Sequence, residues 1–156
     1  MPTGVSPVAI AVAAAALVAA VLMLLTEITT VISIDVAVGS CDSIYDTNPD
    51  LADDCEQKGF ERSSVALLLL GLLTLAMGVG AAFGKSRPAA LALIAIGVVV
   101  LGITLLLDLP ASDETGLIGR RYAAAEAQAG PGLWLELVGG ALAVTAGILR
   151  LLRPND

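Results

Sequence analysis

Glu136 is the one ionisable residue in residues 132–149, "GLWLELVGGALAVTAGIL", a run otherwise without charge. A carboxyl group in an apolar span faces a partner, holds a proton or binds a cation, because hydrocarbon solvates a bare charge poorly. Other charged residues stand where apolar runs begin or end. Glu27 follows the first run, Arg62 precedes the second, Asp108 closes the third, and Arg120 and Arg121 precede the fourth. Together they form a polar set that can do one of three things. It can pair internally and tie a connection to the helices, it can bind a cation, a proton or another protein, or it can sit exposed at the interface.

Other chemistries lack their residues. The chain has no histidine, which removes the commonest general base and metal ligand. Two cysteines without histidine make a poor zinc set. "GVGAAFGKS" invites comparison with a phosphate-binding loop, but three residues separate Gly80 from Gly84 and five separate Gly78 from Gly84, where that motif needs four. No serine has a base to activate it. With a net charge of −7 and scattered basic residues, nucleic acid is not an expected partner. The expectation is a protein that is not an enzyme, with no cofactor and no metal.

The elements that must position the polar set are membrane helices. The chain of 156 residues is 57% hydrophobic and 15% charged, with mean hydropathy +0.90; soluble domains average about 25% charged residues. Four runs, at about residues 8–25, 64–84, 89–107 and 132–149, are near the roughly 20 residues a span requires. The fold class is therefore an all-α integral membrane protein, a single four-transmembrane-helix bundle over residues 1–156. The first run lacks the basic flank of a secretory signal and is read as a retained helix. Its connections are residues 26–63, 85–88 and 108–131. Lys85, Arg87, Arg150 and Arg153 flank helix ends in tight segments, whereas thirteen of the fifteen acids lie in the two long connections or at their junctions. Positive residues stay inside, so both termini are expected in the cytoplasm of a plasma-membrane protein, with 26–63 and 108–131 outside.

Both cysteines, Cys41 and Cys55, fall in the first outer connection, where an oxidising compartment favours a disulfide. The aspartates between them do not have calcium-loop spacing and read as a solvated acidic loop. Residues 26–38 alternate, with Ile28, Thr30, Ile32, Ile34, Val36 and Val38 on one side. That is a strand pattern, without an evident partner in the chain, and a continuation of the first helix is the other reading. "GRRYAAAEAQAGPG" favours a short surface helix ended by Gly130-Pro131.

Four spans with a cysteine pair in the first outer loop resemble the claudin layout in topology alone. The Gly-Leu-Trp that claudins carry before those cysteines occurs here as Gly132-Leu133-Trp134, opening the last helix. The run "DLPASDETGLIGRRYAAAEAQAGPGLWLELVGG", about a fifth of the chain, resembles part of small four-span proteins of actinobacteria. That resemblance implies a bacterial plasma-membrane protein and no particular activity.

Small residues mark the packing faces, since helices in lipid associate through close backbone approach. Gly71 and Gly78 fall on the second helix, Gly97 on the third, and Gly139, Ala143 and Gly147 on the fourth. Glu136 shares the small-residue face of the last helix. Two functions follow as expectations. The first is a structural or accessory subunit that assembles with itself or a membrane-protein partner. The second is a small transporter or channel using Glu136, with Glu27 and Asp108, in an outer-facing polar cavity.

Overall fold

The computed structural model describes residues 6–36, 46, 55–63, 65–121 and 124–153. Its elements in chain order are α1 (Pro7–Thr26), β1 (Thr30–Asp35), β2 (Glu56–Lys58), α2 (Gly59–Ser63), α3 (Ala66–Ala82) and α4 (Arg87–Ile103). A π-helical stretch (Thr104–Asp108) continues α4, followed by α5 (Leu109–Ala111), α6 (Gly116–Arg121), β3 (Glu126–Ala129) and α7 (Pro131–Leu152).

Local sequence starts the long helices. Ser6 caps α1, its hydroxyl accepting from the Ala9 N–H at 3.1 Å, and Pro7 occupies the first turn. Ser86 does the same for α4, with Pro88 behind it. A side-chain acceptor satisfies one of the N–H groups a helix start leaves open, and proline at the first turn lacks that donor.

Helices α1, α3, α4 and α7 pack as a ring in which each touches two principal neighbours, in the order α1–α3–α4–α7. The interior is built from small side chains: Ala16, Ala19, Ala20, Ala90, Ala143 and Ala146 are buried. Large apolar ones, including Leu17, Leu72, Leu91, Val99 and Ile148, face outward. A protein folded in water would reverse this distribution, because burying leucine rather than alanine is what water rewards. In lipid the large residues have no reason to hide. Three stretches, Pro7–Thr26, Arg87–Arg120 and Pro131–Leu152, are long and apolar enough to cross a membrane. Helix α3 is apolar but has 17 residues, about 26 Å at 1.5 Å per residue.

The glycine positions show why the helices approach so closely. A Cβ on Gly97 would stand 2.6 Å from the Gly140 carbonyl oxygen, and one on Gly147 would stand 2.6 Å from that of Ala90. A Cβ on Gly78 would meet the Ala16 Cβ at 2.5 Å. Gly71 faces Leu24, and Gly139 faces Ala19 and Met23. The small-residue faces are therefore occupied by other helices of the same chain.

One end of the ring carries a small cap. Strand β1 lies at the centre of an antiparallel sheet ordered β2–β1–β3, with Ile32 opposite Ala129, Ile34 opposite Ala127, and Ser33 opposite Glu56. Two expectations change here. The first helix stops at Thr26 and the alternating segment is a strand, but it has partners on both sides. The segment expected to be a short helix is helical only to Arg121; Glu126–Ala129 is strand. Helix propensity in "AAAEAQA" is a weak preference, and β1 offers a row of unpaired backbone groups that a strand satisfies and a surface helix does not. The aspartate-rich segment and Cys41 lie outside the described residues, apart from exposed Asp46. Cys55 is buried against Ile34 and Ile118, its sulfur 3.4 Å from the Ile34 carbonyl oxygen.

Gly97→Leu should lower stability by about 1–3 kcal/mol, as overpacking does, measured as equilibrium unfolding in mixed detergent. Leu91→Ala, on the outward face of the same helix, should change it by less than about 0.5 kcal/mol.

Candidate functional site

The cap and the ring meet at a cluster of polar residues that local structure brings together from four elements. Arg62 lies in the last turn of α2, next to the start of α3. Its Nε donates to Asp108 Oδ1 at 2.7 Å and its Nη1 donates to Gln57 Oε1 at 2.9 Å. A longer contact of 3.4 Å runs from Nη2 to the Leu107 carbonyl. Gln57 comes from the middle of β2.

Asp108 ends the π-helical stretch, with Thr104 at its start; both are buried, while Leu105, Leu106 and Leu107 between them are exposed. A π turn inserts a residue into a helix, and such insertions recur where a helix must aim particular side chains. Here it turns two polar groups inward at the end of an otherwise apolar helix. Thr104 Oγ1 lies 3.0 Å from the Val100 carbonyl and 3.2 Å from Glu136 Oε2.

Glu136 is 1% exposed. It shares the buried face of α7 with Gly132, Gly140, Ala143 and Gly147, whose lack of bulk lets α4 come close enough for Thr104 and Asp108 to reach it. The Asp108 and Glu136 side chains lie within hydrogen-bond reach of one another, with Arg62 acting on Glu136 from farther away. Two carboxyl groups side by side hold a proton or a cation between them, since neither tolerates the other's bare charge.

Glu27 has a different task. Val65, at the N-cap of α3, offers no side-chain acceptor. The Glu27 carboxyl supplies one from the end of α1, its Oε1 accepting from the Leu68 N–H at 2.8 Å, while its main-chain carbonyl accepts from Phe60 at 3.2 Å. A carboxylate at a helix start also meets the positive end of the helix dipole. Its other oxygen, Oε2, is buried without a hydrogen-bond partner among the described residues. Burial raises the proton affinity of this carboxyl above its ordinary value, and the Leu68 N–H offsets part of that rise. Gly59 makes the arrangement possible: a Cβ there would strike the Thr26 carbonyl.

The structure thus unites Arg62, Asp108 and Glu136 and sets Glu27 to capping α3. It does not bring in Arg120, which is exposed on α6 and forms no ion pair among the described residues. The side chain of Arg121 lies outside those residues. Arg62 rather than Arg120 supplies the positive charge, because α2 directs it under the sheet while α6 turns Arg120 to the surface. Thr104 stands seven residues after Gly97 in an apolar run, and nothing in that spacing marks its contact with Glu136. Gln57 carries no sequence signal, since its position follows from the pairing of β2 with β1.

Above the cluster opens a cleft of about 270 Å³. Arg62 and Gln57 form part of its lining, with Ile32 and Ile34 from β1, and Glu114 and Leu117 beside the start of α6. No protein-family model matches the chain, and the searches of curated proteins and of solved structures likewise return no match.

Two predictions follow from these contacts. Arg62→Met leaves Asp108 and Glu136 together without their cation; it should cost about 2–3 kcal/mol, less than the roughly 3–5 kcal/mol of a fully buried pair, because the Arg62 side chain is 23% exposed. Adding Asp108→Asn should restore at least half of that loss in the same unfolding measurement. For Glu27, the folded protein binds a proton more tightly than the unfolded chain, whose value is 4.5. Its contribution to stability is therefore fully present below the unfolded value and declines as pH rises through the raised folded value. Melting temperature followed from acid to neutral pH should show that decline in the parent protein and a flatter profile in Glu27→Gln.

Proposed function

We propose that the chain is a non-enzymatic, four-span protein of the plasma membrane that works as a small transporter, with its cap facing outward. The observation that carries this reading is the Arg62–Asp108–Glu136 cluster, buried at the boundary of the helix ring directly beneath an open cleft. A polar route from the surface to an ionisable pair is what uptake of a proton or cation requires, and such groups in spans commonly mark pathways. Glu136 and Asp108 are the carrying groups. Arg62 holds Asp108 in place and sets the charge of the site, and Thr104 orients Glu136.

Four spans are favoured because α3 packs between α1 and α4 and exposes Leu69, Leu72, Leu73 and Val79, a surface suited to the same lipid. With the cap outside, Lys85, Arg87, Arg150 and Arg153 all fall at the opposite end of the ring, which puts both termini in the cytoplasm. A Cys41–Cys55 disulfide belongs to the same proposal, as a closure of the outward loop.

The accessory-subunit reading drew on the small-residue faces and on a strand without a partner. Both features are taken up within the chain, so neither argues any longer for a second protein. The cytoplasmic half does constrain the transport mechanism. Val12, Ala81, Ala82, Ala90, Leu93 and Ala146 form an apolar core there, with Arg150 buried at the same end, so passage needs a rearrangement of the helices or a path shared between copies.

Purified protein in liposomes should collapse an imposed pH gradient faster than empty liposomes, read with an entrapped pH-sensitive dye. Glu136→Gln and Asp108→Asn, each checked for an unchanged elution profile, should lower that rate at least tenfold. A Glu136→Gln rate equal to the parent's would sink the transport reading.

A further inference from the structure

The cleft above the cluster has a composition that specifies a ligand. Arg62, in its lining, carries five N–H donors; three are directed to Asp108, Gln57 and, weakly, Leu107. Among the described residues, two donors therefore remain on a side chain that lines the cleft and is still 23% exposed. Gln57 uses its carbonyl oxygen on Arg62, and among those residues its amide N–H groups remain as further donors. These two side chains thus make a donor-rich surface suited to a carboxylate or phosphate, and planar guanidinium groups bind such oxyanions well.

Two other lining residues have the reverse character. Glu114 and Thr115 contribute acceptor oxygens, the former a carboxylate suited to an ammonium group. Ile32, Ile34 and Leu117 add apolar lining. A simple anion would meet Glu114 and the carboxyl pair under Arg62, while a simple cation would meet Arg62 itself. A zwitterion satisfies both kinds of lining, and an apolar substituent on it covers the isoleucines. At about 270 Å³ the cleft lies at the small end of ligand sites, which run from roughly 300 to 1,000 Å³.

We infer that the cleft binds a small zwitterion with an apolar substituent, its anionic group on Arg62 and Gln57 and its ammonium group on Glu114 and Thr115. This adds to the transport reading a zwitterion taken up together with the proton or cation held by Asp108 and Glu136, and it rests on that reading for the cleft's outward orientation. Two sources carry this chemistry, a free apolar amino acid and the head group of an ethanolamine phospholipid.

The test is calorimetric titration of the full chain in a non-ionic detergent. The probes are L-leucine, leucinamide (no carboxylate), 4-methylpentanoate (no ammonium), and short-chain phosphatidylethanolamine beside phosphatidylglycerol. Saturable leucine binding, with both partial analogues at least tenfold weaker, supports the inference with a free amino acid as the source. Saturable binding of phosphatidylethanolamine in preference to phosphatidylglycerol, without leucine binding, supports it with a lipid source. Glu114 is exposed, so Glu114→Gln should fold normally and remove the preference for leucine over 4-methylpentanoate, or for the ethanolamine head group. Ala111→Phe, at a residue that lines the cleft, should abolish binding while the elution profile stays that of the folded protein. No saturable binding of either zwitterion, equal binding of the partial analogues, or binding untouched by both substitutions would overturn the inference. Binding without flux in liposomes would retain the site and reject transport, whereas flux without zwitterion binding would do the opposite.

Discussion

The close approach of α4 to α7 is the constraint on which the other features depend. Gly97 and Gly147 have no room for a side chain because each faces a carbonyl oxygen of the neighbouring helix. That contact sets the distance between the two helices along their length. Glu136 lies one turn from Gly140 on the same face, so the spacing that brings Gly140 against Gly97 also brings Glu136 against Thr104 and Asp108. A wider separation would leave Glu136 in an apolar environment without Thr104 and Asp108, at a cost of several kcal/mol. The meeting of Glu136 with Thr104 and Asp108 is in this sense a consequence of backbone packing, to which the connection between α1 and α3 adds Arg62 and Gln57.

The cap is joined to this ring by backbone hydrogen bonds and by one borrowed side chain. Gly59 and Phe60 donate to the carbonyls of Thr29 and Glu27, and Gly130 donates to that of Val31 at 2.7 Å. These bonds connect the strands to the ends of α1 and α7 with no linker between. Glu27 then caps α3 from another helix, which couples the end of α1 to the start of α3. The sheet is small, and a small sheet holds its form only against something rigid. Here Val31 and Ile32 pack on Leu133 of α7, and Ile34 packs on Ile118. The lining of the cleft is therefore fixed from below by membrane helices and from the side by α6.

Charge at this junction is only partly balanced. Arg62 neutralises Asp108, and Thr104 contacts Glu136, so one positive group serves two carboxyls. An odd charge left in such a place attracts a proton or a cation from the side that is open to water. The opposite end of the ring has an apolar core around Val12, Ala90 and Leu93, with Arg150 buried at the same end.

Much of this was legible in the sequence because lipid imposes strict rules on composition. Apolar runs of the required length, with glycine and alanine recurring every fourth residue, determine the helices and the faces on which they pack; Gly97, Gly139, Ala143 and Gly147 all lie where that periodicity puts them. Glu136, Asp108 and Arg62 stood out because charge at a span boundary is costly enough to be rare. The tertiary structure decided the pairings. That Arg62 and not Arg120 meets Asp108, that Glu27 caps a helix instead of joining the cluster, and that an alanine-rich segment becomes β3 all depend on contacts between residues far apart in the chain. Hydrophobic periodicity is a property of neighbours along one element, whereas an ion pair or a strand partner is chosen by what the other elements leave open. The sequence determined which faces are buried and where charge is confined; only the folded chain decided which charges meet.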